Sequence, residues 1–140
     1  EPETEFLDLP KSINCYGFPI REYDNKIPAN LTAEQILIRS GNIGSVRIAQ
    51  KVGPEKFKSF LEKIGILGQI EFDIEEVAIQ ENFNFGKCRL ATAAFGHGVT
   101  TTILQLAKGY AILSNGGFDI KPNLIDSNSL ENKKTAPRCR

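Results

Sequence analysis

The sequence predicts a mainly helical chain that begins with short extended pieces. Two observations predict the helices: a capping pattern marks a helix start at Thr32 and again at Thr102, and apolar residues recur at helical spacing between these points. A third observation predicts the extended pieces, because prolines and a glycine interrupt the apolar runs of residues 1–30. We interpret residues 1–30 as an extended lead-in, residues 31–125 as the main part of the domain, and residues 126–140 as a polar, disordered tail.

The first predicted helix has a complete set of start signals. Thr32 can cap the helix, Gln35 can reach back from three residues later, and Leu31 can pack on Ile36 as a hydrophobic staple. We expect this helix to end near Arg39.

Two further helices are predicted in the next 25 or so residues. Helical spacing after Asn42 relates four apolar residues: Ile43, Val46, Ala49 and Val52. Gly53 supplies the left-handed residue that commonly follows a last helical turn. Pro54 then opens a third helix with one apolar face, and Gly65 ends it.

The pattern is weaker between Ile66 and Asn84. There Ile70, Phe72 and Ile74 alternate with acidic residues, which predicts a half-buried strand.

A fourth helix is predicted from Thr102 to the Asn115-Gly116-Gly117 stop, because Gln105 repeats the capping pattern of the first helix. Only Gln105 and Lys108 interrupt the apolar surface of this helix. We therefore expect it to be buried on most sides.

Composition excludes several classes of function. The 17 basic and 17 acidic residues balance, so the chain has no field that would attract nucleic acid or an anionic membrane surface. No apolar run reaches the length that spans a membrane. Three cysteines at irregular spacing form neither a metal-binding pattern nor an even set for disulfides. Because the chain contains no methionine and no signal peptide, we expect it to be an excerpt from a longer protein.

Four short motifs, taken in order, carry a resemblance to a known family. The first is the S-x-N triplet Ser40-Gly41-Asn42. The others are a G-x-G turn, a start like T-P-L-Q-L-A and a Y-A-x-x-x-N-G-G end, found at Gly96 to Gly98, Thr102 to Ala107 and Tyr110 to Gly117. Together they resemble the transpeptidase domain of class B penicillin-binding proteins, of the septal, cell-division type.

The resemblance implies an α+β fold of the serine β-lactamase and transpeptidase type. This chain would supply mostly its helical subdomain and the helix that packs on the sheet. The implied activity is that of a serine D,D-transpeptidase, of the transpeptidase and carboxypeptidase class, which cross-links peptidoglycan through an acyl-enzyme during septal cell-wall synthesis. The implied partners are the peptidoglycan stem peptide, β-lactams and, through the whole protein, divisome proteins. The implied location is the periplasmic side of the bacterial inner membrane, with a single-pass anchor upstream; no metal or cofactor is implied.

The family divides its chemistry among three motifs, of which this sequence carries the middle one. The resemblance implies that Ser40 passes a proton to the leaving amine and that Asn42 hydrogen-bonds the substrate and orients the base. Gly41 would let the turn approach the cleft without a side chain. The S-x-x-K motif with the nucleophile is expected before Glu1, and the K-[TS]-G motif after Arg140. The segment alone should therefore be inactive.

Phe95 and His97 are candidate substrate-binding residues, because glycines bracket His97 and the two rings could line a groove for a peptide-like ligand. In the resembling enzymes this turn helps to wall the cleft. Structural alternatives stay open: Phe95 could pack in the core, His97 could be satisfied locally, and Asn42 could cap a helix that begins at Ile43.

Two other functions stay open as well. One is a non-catalytic relative of the family, either a β-lactam sensor or a pseudoenzyme that binds wall fragments or division partners. The other is an unrelated helical binding module whose motif matches are accidental.

Overall fold

The computed structural model describes residues 1–72 and 86–123, in which helices are combined with two small antiparallel sheets. The strands are β1 (Glu5–Phe6), β2 (Ser12–Cys15), β3 (Phe18–Arg21) and β4 (Leu31–Thr32). The helices are α1 (Ala33–Ile38), α2 (Asn42–Val52), α3 (Pro54–Lys63), α4 (Lys87–Ala93) and α5 (Ile103–Ser114). This combination confirms the α+β class.

The chain divides into two compact units: residues 1–57 with 84–99, and residues 58–83 with 100–140. In the first unit β1 pairs with β4, and β2 pairs with β3. Tyr16 and Gly17 join β2 to β3 with φ values of 48° and 90°, as a two-residue hairpin turn with two left-handed residues requires. The prediction of extended pieces within residues 1–30 is confirmed.

The predicted start and end of α1 and the predicted end of α2 are also confirmed. The backbone N–H of Gln35 donates to the Thr32 hydroxyl (3.2 Å), and the N–H of Thr32 donates to the Gln35 side chain (3.0 Å). Arg39 is the C-cap of α1, and Gly53 ends α2 with a φ of 86°. Local signals therefore determine α1 and the end of α2.

One hydrophobic core joins the strands and helices of the first unit. Its buried residues are Leu9, Ile20, Ile27, Leu31, Ile36, Ile43, Val46 and Ala91. Fully burying an isoleucine or valine side chain stabilises the fold by about 1.5–3 kcal/mol. Gly44 allows α1 and α2 to approach closely, since a Cβ there would lie 2.6 Å from two side-chain atoms of Ile36.

The short helix α4 was not predicted from the sequence. Gly86 precedes it without a side-chain cap, and its buried residues are Leu90, Ala91 and Ala93. Seven residues with no cap give little helical periodicity to detect.

A disulfide links β2 to α4, because Cys15 and Cys88 are bonded with their Cα atoms 5.6 Å apart. The cysteines form no even set, and this bond was not predicted from the sequence. The two residues are 73 positions apart, and three cysteines permit three pairings, so sequence spacing could not identify the bond. Cys139 lies outside the described residues.

The third predicted helix is confirmed as α3, which begins at Pro54 and is followed by Gly65 with a φ of 79°.

In the second unit, the Gln105 side chain is 1% exposed and makes hydrogen bonds at both ends of its amide. Its Oε1 accepts from the N–H of Thr102 (2.8 Å) and completes the predicted capping box of α5, while its Nε2 donates to the carbonyl of Gly68 (2.7 Å). Gln105 therefore also holds the loop that follows α3.

The predicted strand is wrong in its described part, because residues 66–72 contain no strand. Ile70 is buried, so the alternation indicated burial correctly. Ile74 and the rest of residues 73–85 lie outside the described residues, as does the tail predicted for residues 126–140.

The expectation that α5 is buried on most sides is also wrong for this chain. Its buried residues are Gln105, Gly109 and Ile112, whereas Ile103 is 88% exposed and Tyr110 is 68% exposed. Leu106 and Leu113 are exposed as well, at 45% and 52%.

Candidate active site

The turn between α1 and α2 presents Ser40 in an uncommon backbone conformation. Its φ is 52°, in the left-handed region that residues with side chains rarely adopt. Two backbone hydrogen bonds hold the turn: the N–H of Ser40 donates to Leu37 (3.0 Å), and the N–H of Gly41 donates to Ile36 (3.0 Å). The Ser40 side chain is exposed, and its hydroxyl has no hydrogen-bond partner within the described ranges 1–72 and 86–123. It is therefore available to a ligand.

Gly41 is buried and forms the N-cap of α2 with an ordinary φ of −71°. A Cβ at this position would meet the carboxylate of Glu22 at 3.6 Å. Residue 41 thus lies against Glu22, and its role in binding substrate stays a prediction.

Asn42 is the first residue of α2, so the alternative in which it caps a helix beginning at Ile43 is wrong. Its Nδ2 instead donates to the carbonyl of Arg21, at a distance of 2.9 Å. Because a backbone carbonyl can only accept, this bond requires the NH₂ end of the amide to face Arg21. The Oδ1 end has no partner among the residues that the structure describes and can accept a hydrogen bond from a ligand or a base.

Glu22, which directly follows β3, holds the end of this turn, and sequence reasoning missed it. Its Oε2 accepts from the N–H of Asn42 (2.8 Å), and its Oε1 accepts from the N–H of Ile43 (3.0 Å). Since Gly41 makes no side-chain cap, a carboxylate 20 residues upstream satisfies the first N–H groups of α2. Motif spacing contains no signal for a cap supplied from so far along the chain.

The G-x-G turn follows α4 and contains two left-handed glycines. Gly96 has a φ of 87° and Gly98 a φ of 77°, and the N–H of His97 donates to the carbonyl of Thr92 (3.0 Å). The rings of Phe95 and His97 stack with centroids 6.4 Å apart and an interplanar angle of 23°. The two aromatic side chains predicted to act together do form one surface.

Phe95 and His97 differ in burial. Phe95 is half-buried and packs against the core that contains Ile36 and Ile43, so its predicted core role is observed. His97 is exposed. Within the described part of the chain, no hydrogen bond or ring contact links this pair to Ser40 or Asn42. The structure therefore brings Ser40 and Asn42 together at one turn, and Phe95 and His97 at another. Ile36 and Ile43, which flank the first turn, and Phe95 of the second belong to or pack against the same hydrophobic core.

Neither a metal centre nor a membrane helix is found in the described ranges. No cluster of three or more His, Cys, Asp or Glu side chains there could hold a metal ion. No helix among those residues is both long enough and apolar enough to cross a bilayer.

Fold and turn together define the class of protein: an α+β domain with an S-x-N turn between two helices, as in serine transpeptidases. The chain belongs to the penicillin-binding protein transpeptidase domain family, whose model matches residues 3–138. The alternative of an unrelated helical binding module is therefore wrong.

Individual relatives agree with this membership. The chain is 30% identical over 127 residues to penicillin-binding protein PbpB of Mycolicibacterium smegmatis. This match covers 88% of this chain and 19% of that protein. It is 30% identical over 105 residues to the peptidoglycan D,D-transpeptidase FtsI homolog of Mesostigma viride, covering 70% of this chain and 18% of that protein. The chain thus spans less than a fifth of the length of these two relatives.

A solved structure is similar over nearly the whole chain. The transpeptidase domain of penicillin-binding protein 3 from Burkholderia pseudomallei matches with a TM-score of 0.79 and 25% identity. The match covers 98% of this chain and 41% of that domain structure.

Proposed function

We propose that the protein containing this chain is a septal peptidoglycan D,D-transpeptidase that β-lactams acylate. Family membership supports the reaction class, and the relative named as an FtsI homolog supports the septal role. In this proposal residues 1–140 supply the middle motif of the active site, and the nucleophilic serine, its lysine base and the K-[TS]-G strand belong to other parts of the protein. The same class includes carboxypeptidases, in which water replaces the acceptor amine.

One observation carries the proposal: Ser40 and Asn42 lie on one constrained turn with unused hydrogen-bonding capacity. The Ser40 hydroxyl is exposed and can both donate and accept, while the Asn42 amide is anchored at its nitrogen end and can accept at Oδ1. A proton relay needs a hydroxyl such as that of Ser40. Alignment of a lysine or a substrate amide needs an acceptor such as Asn42 Oδ1.

The reaction that these groups would assist is acyl transfer. The nucleophilic serine oxygen attacks the carbonyl carbon of the penultimate D-alanine, and its proton passes to the lysine base. The bond to the terminal D-alanine then breaks, and the Ser40 hydroxyl hands a proton to the leaving amine while the lysine restores the proton on Ser40. An acceptor amine attacks the ester in the second half-reaction and releases the serine with its proton.

Phe95 and His97 would form one wall of the cleft. Their stacked rings provide a rigid surface, and the exposed His97 edge can hydrogen-bond a peptide or a β-lactam side chain. Gly41 would keep the S-x-N turn free of a side chain.

The proposed setting is the outer face of the bacterial inner membrane, where peptidoglycan is assembled. An anchor and the contacts with divisome proteins would come from parts of the protein outside residues 1–140. A disulfide such as the one between Cys15 and Cys88 is typical of proteins outside the cytoplasm and supports this location.

Labelled penicillin tests the proposal on the full-length protein. We expect a covalent adduct on a serine, and we expect release of D-alanine from a D-Ala-D-Ala stem peptide when an acceptor amine is present. The isolated 140 residues should form no adduct. An adduct without D-alanine release would indicate a β-lactam sensor, and the absence of both would indicate a pseudoenzyme; either outcome would reject the transpeptidase.

A further inference from the structure

The last residue of β3 and the two residues after it bind both sides of the turn that carries Ser40. Glu22 accepts from the N–H groups of Asn42 and Ile43, as described above, and the carbonyl of Arg21 accepts from Asn42 Nδ2. We name Arg21, Glu22 and Tyr23 the turn clamp.

Tyr23 completes the turn clamp on the other side of Ser40. Its hydroxyl donates to the carbonyl of Arg39, the C-cap of α1, at 2.9 Å. The clamp thus binds the chain one residue before Ser40 and two residues after it, and Ser40 with Gly41 lies between these anchor points.

Glu22 is well suited to hold the start of α2. Its own backbone is fixed because its N–H donates to the carbonyl of Lys11 (3.1 Å), which continues the β2–β3 pairing by one bond. The carboxylate receives two N–H groups at once, and its negative charge lies at the positive end of an 11-residue helix.

From these contacts we infer that Glu22 is a positioning residue for the acyl transfer, an inference that rests on the proposed function. Glu22 sets the place of the Asn42 backbone, while Arg21 sets the rotamer of the Asn42 amide. Together they determine where Oδ1 can accept a hydrogen bond. Reactions that depend on such groups lose about 100-fold in rate when a group moves by about 1 Å.

The test compares acylation of full-length variants by a fluorescent penicillin, with the limiting rate separated from the dissociation constant. Glu22→Gln removes the charge and turns an NH₂ group toward one of the two N–H donors, so one bond is lost. We expect its limiting acylation rate to fall about tenfold or more, with little change in the dissociation constant. Glu22→Asp keeps the charge but is shorter, and it should recover part of the rate.

Thr102→Ala is the matched control, because Thr102 caps α5 by accepting from the N–H of Gln105 (3.1 Å). This variant should melt at a lower temperature and acylate at the wild-type rate. Tyr23→Phe removes only the hydroxyl that binds Arg39, so it keeps the test possible if Glu22→Gln does not fold. This variant should also slow acylation.

The outcomes separate the two proposals. A wild-type protein that is acylated, together with Glu22→Gln and Tyr23→Phe variants that acylate at the same rate, would overturn the positioning role alone. An equal loss of rate in Thr102→Ala would also overturn it. A wild-type protein that forms no adduct would overturn the proposed function, and the positioning role with it.

Discussion

Ser40 combines two properties that seldom occur together in one residue. It keeps a left-handed φ of 52° without being glycine, which costs of order 1–3 kcal/mol. Its hydroxyl is nonetheless not used to stabilise the turn, because the turn is held by backbone bonds on either side. A strained backbone at a residue whose hydroxyl does not stabilise the fold supports a catalytic role for that hydroxyl.

Substitution of Ser40 separates its chemistry from its backbone conformation. We predict that Ser40→Ala in the full-length protein lowers the acylation rate with labelled penicillin by about 100-fold, since a proton-transfer group is lost. Ser40→Gly should be equally slow yet melt at the same or a higher temperature, because glycine accepts the left-handed φ without strain. Ser12→Ala, at an exposed serine of β2, is the control and should react normally. Unchanged acylation in both Ser40 variants would exclude Ser40 from the mechanism.

The sequence predicted Ser40 and Asn42 as a pair but not what surrounds them. The two residues are separated only by Gly41, so the sequence alone places them close together. The direction of the Asn42 amide depends on Arg21, and the start of α2 depends on Glu22, both about 20 residues away. Such bonds follow from how β3 packs beside the turn, and no local pattern encodes that packing.

The helices show which elements are readable from a sequence. α1 and α5 start with capping boxes whose partners are three residues apart, so the signal and the structure are both local. α4 has no such cap and is seven residues long, and it was missed. The alternation around Ile70 indicated burial correctly, but the described residues 66–72 contain no strand.

The contact between α1 and α2 depends on a glycine whose role is steric. We predict that Gly44→Ala destabilises the protein by about 1–3 kcal/mol, as overpacking of a filled core does. The new methyl carbon would lie 2.6 Å from two atoms of Ile36, which is fully buried and cannot move aside easily. Thermal unfolding of the full-length variant measures the effect.

Gly86→Ala is the matched control for this substitution, because a Cβ at residue 86 meets nothing within 4 Å. Its change in stability should stay below about 1 kcal/mol. Equal melting temperatures for the two variants would show that α1 and α2 do not depend on close contact at Gly44.

At the scale of the whole chain, the first unit is assembled from two separate stretches of sequence. Residues 1–57 and 84–99 share one core, and the Cys15–Cys88 disulfide connects the two stretches covalently. Neither the division into units nor the bond could be predicted from the sequence, since both depend on contacts between distant residues. The family resemblance nevertheless identified the α+β class, because its motifs are short and lie in a fixed order.

The disulfide should therefore stabilise the first unit by restricting the unfolded chain across a separation of 73 residues. We predict that Cys15→Ser with Cys88→Ser lowers the stability of the full-length protein by about 2–5 kcal/mol. A reductant should lower the melting temperature of the wild type and of Cys139→Ser, the control for cysteine number, but not of the double variant. Proteolysis without reductant should release a linked peptide pair that contains residues 15 and 88. Pairing of Cys139 with either cysteine would contradict the Cys15–Cys88 bond. A wild-type protein whose melting temperature does not respond to reductant would show that this bond does not stabilise the first unit.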